Sequence, residues 1–122
     1  MMTTIKLKRV YEDPEPEDGM RVFVDRLWPR GMKKENFKYD LWAKEITPSP
    51  DIRKWFHQDI NNRWDDFVVM YQKELSESNA VKDFIDKIRN YKTVTLLYAS
   101  REPLHNHANI LKDYLDKVLA KG

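Results

Sequence analysis

The sequence predicts an α/β domain: a small, mostly parallel sheet of three or four strands with helices packed on its faces. Three observations carry this. First, "KTVTLLYAS" (92–100) runs from Val94 to Ala99 without a charge, the pattern of a strand buried on both faces at the centre of a parallel sheet. Second, β-type segments near both ends of the chain flank segments with helical periodicity, an alternation typical of α/β chains. Third, the link between the second and last strands is long enough for a crossover. The 122 residues suit one domain, 1–122.

"TIKLKRVY" (4–11) alternates apolar and basic residues through Ile5, Leu7 and Val10, a strand with one wet face. "YEDPEPEDG" (11–19) is a loop, its acids read as solvated. "MRVFVDR" (20–26) is the second strand. The ten-residue link between these strands permits a hairpin or a compressed parallel connection.

Residues 27–50 have no regular period and are broken by Pro29, Gly31, Pro48 and Pro50. A long ordered excursion with short helical turns is expected, anchored by Trp28, Phe37, Tyr39, Leu41 and Trp42. Ser49-Pro50 opens a short helix (50–58). Helical spacing then predicts helices near 62–76, 80–91 and 104–120, the last burying Leu104, Ala108, Leu111, Leu115 and Val118.

Composition limits the chemistry. No cysteine is present, which removes thiolate nucleophiles and Cys-based metal sites and fits a reducing compartment. No apolar run approaches the roughly 20 residues of a membrane helix, and "MMTTIKLKRV" lacks a signal peptide's apolar core. The expected location is the cytoplasm, with no membrane partner. With 22 basic and 20 acidic residues the formal charge is +2, too balanced for a strong nucleic-acid footprint.

In open α/β sheets ligands bind beyond the carboxyl ends of the strands. Two such ends are legible, "VDRLWPRG" (24–31) and "LLYASREPLHNHA" (96–108). As parallel neighbours they place Asp25, Arg26, Trp28 and Arg30 near Tyr98, Ser100, Arg101, His105, Asn106 and His107. A helix starting near Pro103 would turn its free N–H groups and positive dipole end to this crevice, and Arg26, Arg30 and Arg101 would supply forked donors. A small polar or anionic ligand is therefore expected at this rim. Asp25 and His105 are its acid/base candidates.

Each residue also has a packing reading. Asp25 fits a general base or a salt bridge to Arg26 or Arg30 that fixes the loop. Trp28 fits an anchor, Arg30 a cap on local carbonyls, and Ser100 a helix-start hydroxyl. "HNH" resists metal binding, because residues two apart on a helix point in nearly opposite directions. His107 borders the buried face, and His105 lies with Asn109, Lys112 and Asp116. The alternative function is a nucleic-acid or protein-binding module without catalysis, which would need a basic stripe of Lys6, Lys8, Arg9, Lys33, Lys34 and Lys38. Substrate, cofactor and oligomeric state are not specified at this level.

"RVYEDPEPEDGMRVFVDRLWPRG" (9–31), "IRKWFHQD" (52–59), "RWDDFVVMYQKEL" (63–75) and "VTLLYASREPLHNHANIL" (94–111) together resemble the YeaO-like family, a small bacterial branch of a larger domain-of-unknown-function group. The resemblance spans nearly the whole chain. It implies an α/β fold and marks "DRLWPRG" and "ASREPLHNHA" as signatures that face each other. Longer members of the wider group carry a cysteine in a "CHR"-like motif after the last core strand. Here His105, Asn106 and His107 occupy that stretch, and Tyr98 stands where a second cysteine sits. Any thiol role in those relatives is closed to this chain.

Overall fold

The computed structural model describes residues 2–121. Four parallel strands form one sheet in the order β1-β4-β2-β3: β1 (Thr4–Arg9), β2 (Met20–Phe23), β3 (Leu41–Trp42) and β4 (Thr93–Tyr98). The α/β expectation holds, with the all-β-type run 93–98 at an interior position. The open question of the first connection resolves as parallel: β1 and β2 both flank β4, with Leu7 and Val22 each paired to Leu96. The irregular excursion is ordered as expected. It contains two single 3-10 turns and β3, which forms the sheet's short fourth strand.

Strand side chains alternate between the two faces. Ile5, Met20, Val22, Val24, Val94 and Leu96 meet the helices: α1 (Pro50–His57), α2 (Ile60–Glu77), α3 (Asn79–Ile88) and α4 (His107–Ala120). Phe67, Tyr71, Ile88, Leu111 and Leu115 fill the space between them. Each such side chain contributes about 1.5–3 kcal/mol by leaving water. The opposite face carries Phe23 and Leu97. Phe37, Trp28, Tyr39 and Trp42 of the excursion cover it. The helices thus gather on one face and the loops on the other.

Chain direction explains this division. Right-handed crossovers stepping in opposite directions along a sheet lie on opposite faces. Here β1→β2 and β2→β3 step one way and β3→β4 steps back. The 11–19 loop crosses β4 on the loop face, and one of its acids is not solvated as expected. Asp18 is buried and accepts from Lys8 of β1 and Arg21 of β2, while its carbonyl accepts from Thr95 of β4 at 2.7 Å. A carboxylate here is retained because two cations, on the two strands that flank β4, surround it.

Local signals set the helix boundaries, with one displacement. Proline at the first position starts α1 as expected, but Ser49 does not cap it; its hydroxyl donates to Glu74 of α2 at 2.6 Å. Ser78 ends α2 and caps α3 by accepting from the Val81 N–H. The last helix begins at His107, not near Pro103. Glu102 Oε1 accepts from the backbone N–H of Leu104 and His105, both at 3.1 Å, and holds 101–106 as a turn. The capping residue is Asn106, whose Oδ1 accepts from Asn109 N–H; the Ser100 hydroxyl accepts from Glu102 N–H instead. Leu104 is consequently exposed rather than inward.

Candidate functional site

β2 and β4 are hydrogen-bonded neighbours whose continuations part. After Val24 the chain turns to the loop face, and after Tyr98 it turns to the helix face. This is a topological switch point, where an α/β sheet opens a crevice. A cavity of about 280 Å³ lies there. The two stretches expected to meet do meet, and Ala99 N–H donates to Asp25 Oδ2 at 2.9 Å.

Of the expected rim residues, Asp25, Arg26, Trp28, Arg30, Ser100, His105, Asn106 and His107 line this cavity. Tyr98 and Arg101 do not. Tyr98 is buried on the sheet, its phenol pushed above the usual range by burial, and Arg101 is exposed on the turn. The apolar walls are Phe56, Ile60 and Phe67 from α1 and α2, with Phe56 and Phe67 stacked at 4.1 Å.

Asp25 pairs with neither Arg26 nor Arg30. Its Oδ1 lies 3.2 Å from His107 Nε2, while that nitrogen is 2.7 Å from the Val24 carbonyl oxygen. A carbonyl only accepts, so Nε2 bears the hydrogen and directs it to Val24. Oδ1 is left buried without a hydrogen bond. The brace expected of an Asp–Arg pair is found instead at Asp18 and Arg21. His107 is the partly buried, satisfied histidine its spacing indicated. His105 is not on a helix; it stacks on Trp64 at 4.7 Å and 17°. The two histidines have separate partners, and no group of three or more His, Asp or Glu among the described residues has metal-holding geometry.

Trp28 is an anchor, packed on Phe37, Tyr39 and Trp42 and donating through Nε1 to the Met32 carbonyl at 2.7 Å. Arg30 is exposed at the mouth; its carbonyl accepts from Tyr11.

Three polar lining residues escape the sequence reading: Arg53, His57 and Glu102. Arg53 and His57 are four apart on α1, a spacing that shares one helix face, but nothing local shows that this face turns to the sheet's rim. Arg26 and Arg53 each have a buried Nε–H with no partner. Among the described residues neither forms an ion pair. The side chain of Arg26 has one long contact, 3.4 Å to the Pro48 carbonyl. Glu102's carboxyl is held below its usual range by the N–H groups of His105 and Leu104. The His57 imidazole is held below 6.5 by burial, then by Arg53 and His107.

A parallel α/β domain with a donor-rich cavity at its switch point is the class these features define. The chain belongs to the YeaO-like family: the profile of the DUF488-N3i family, described as the inactive DUF488-N3 subclade, matches residues 4–122. The chain is similar to uncharacterized protein YeaO of Escherichia coli K12, at 41% identity over 111 residues, 91% of this chain and 96% of that one. It is also similar to uncharacterized protein Rv3073c of Mycobacterium tuberculosis H37Rv, at 38% over 114 residues, 93% and 95% of the two chains. No solved structure matches it. No helix among the described residues is long and apolar enough to cross a membrane.

Proposed function

We propose that this protein binds a small anionic molecule in the cavity between the ends of β2 and β4, without turning it over. The observation that carries the reading is the pair Arg26 and Arg53. Each holds a buried Nε–H that no protein group accepts. A buried unmade hydrogen bond costs about 1–3 kcal/mol. An oxyanion would accept from both, side-on, in the forked geometry guanidinium groups favour. A volume of about 280 Å³ suits a small metabolite.

Binding without turnover is supported by the family's description as an inactive subclade. The two acid/base candidates are also engaged. Asp25 takes the Ala99 N–H and sits beside His107, and His105 stacks on Trp64. In this reading Asp25 accepts a hydrogen bond from a ligand O–H or N–H through its unpartnered Oδ1, and the apolar walls hold the ligand's body. A nucleic-acid module has less support. Of the basic stripe it would need, Lys8 is buried against Asp18, and Arg9 donates to the Ala99 and Ser100 carbonyls.

A thermal-shift screen of phosphorylated metabolites, nucleotides and small carboxylates tests this. A ligand at 100 times its Kd adds about 2.7 kcal/mol to stability. The expected result is stabilisation of the native chain by one anion class and none in Arg53→Met. Failure of every anion to stabilise the protein would refute the reading.

A further inference from the structure

Arg53 and His57 stand one turn apart on α1, and both line the cavity across from His107 at the start of α4. The charged groups around His57 can be counted by element. α1 contributes Arg53. The end of β2 contributes Asp25 and Arg26, with Arg30 exposed at the mouth. The β4–α4 turn contributes His105 and Glu102, the latter already accepting two backbone N–H groups. α4 contributes His107, whose Nε2 hydrogen is committed to Val24. α2 lines the cavity with Ile60 and Phe67 alone, both apolar. Among these lining residues three guanidinium groups, those of Arg26, Arg30 and Arg53, face the two carboxylates of Asp25 and Glu102, and the excess is a single positive charge.

That excess matches a singly charged ligand and falls one short of a doubly charged one. We propose that the ligand's head is a doubly charged, phosphate-like oxyanion, and that His57 completes its site by taking up one proton from solvent as the head binds. This rests on reading the cavity as an anion site. The free protein is prepared for such uptake. His57 is exposed at the mouth, yet partial desolvation and the charge of Arg53 hold its imidazole below its usual range. An oxyanion placed between Arg53 and His57 offsets that repulsion and favours the imidazolium. No covalent bond changes. A carboxylate head needs no such proton, so the two classes differ in their pH dependence.

The test titrates sulfate and acetate into the full-length, isotope-labelled chain between about pH 5 and 8, followed by NMR. Sulfate remains a dianion throughout, so any slope belongs to the protein. Sulfate affinity is expected to fall as pH rises, by up to about tenfold per pH unit, and the slope is expected to vanish in His57→Gln. In saturating sulfate the His57 ring signals of the unmutated protein are expected to titrate at higher pH than without it. Sulfate binding with the same affinity at every pH, a slope that persists in His57→Gln, or tighter binding of acetate would overturn this inference and leave the anion site standing. Absence of shifts with either ion, or shifts unchanged by Arg53→Met, would overturn both.

Discussion

His107 Nε2 lies 3.2 Å from Asp25 Oδ1, which ties the first turn of α4 to the end of β2. The same carboxylate accepts from Ala99 N–H at 2.9 Å, so one side chain joins β2, β4 and α4 at the switch point. Asp25→Ala would leave a part-buried N–H without an acceptor. A loss of about 1–3 kcal/mol in urea unfolding is expected. Asp25→Asn keeps an oxygen for Ala99 and should lose less. Equal losses in the two variants would show that the Ala99 bond is not the stabilising contact.

Asp18 is the opposite kind of residue, a buried acid that holds the loop 11–19 to the sheet. Replacing it with alanine leaves Arg21 without a carboxylate partner among the described residues and Lys8 with Glu15 alone, at a cost of about 3 kcal/mol by analogy with other broken buried pairs. Burial acts to raise its pKa, but the Glu15 N–H, Lys8 and Arg21 together bring it below 3.8. A carboxyl lowered on folding stabilises above its unfolded value and loses that contribution as pH falls through the folded one. The native protein should therefore weaken in acid from about pH 4 downward, and Asp18→Ala should show a shallower decline over that range. Parallel curves would remove Asp18 from the acid response.

The cavity arginines should trade stability for binding. Arg26→Met and Arg53→Met each remove an unpartnered buried Nε–H while retaining an apolar stem. Thermal melts should show no loss, or a gain of up to about 1 kcal/mol. A loss above that size in either variant would mean that the guanidinium has a structural partner.

Gly19 and Gly31 both have positive φ, at 62° and 75°, yet they should differ on substitution. A Cβ on Gly19 would sit 2.2 Å from the Thr93 carbonyl oxygen, whereas one on Gly31 meets nothing within 4 Å. Gly31→Ala should cost about 1–2 kcal/mol, the left-handed penalty alone. Gly19→Ala adds a backbone clash and should cost about 4 kcal/mol or prevent folding. Similar unfolding midpoints for the two variants would contradict the close approach of the loop to β4.

Much of this arrangement is legible from local pattern. The charge-free run ending at Tyr98 marks a strand buried on both faces. Pro50 marks a helix start, and the ends of two strands mark a shared rim. The start of α4 is not legible, because Pro103 is an equally good helix opener until Glu102 captures the two N–H groups that follow it. Asp18 is hidden among five acids of one loop, and only the crossing over β4 separates it from solvated neighbours.

By itself the sequence determined the α/β class, the parallel interior strand and the meeting of "VDRLWPRG" with "ASREPLHNHA". Burial period and chain length act locally, and a parallel pair aligns its carboxyl ends. The tertiary structure alone decided that Asp25 sits beside His107, and that Arg53 and His57 turn to the same cavity. The first joins residues 82 positions apart in the chain, and the second brings one face of α1 to the end of β2. They depend on the faces to which the crossovers are assigned and on the packing of α1 against α2, neither of which leaves a mark on any short stretch of chain.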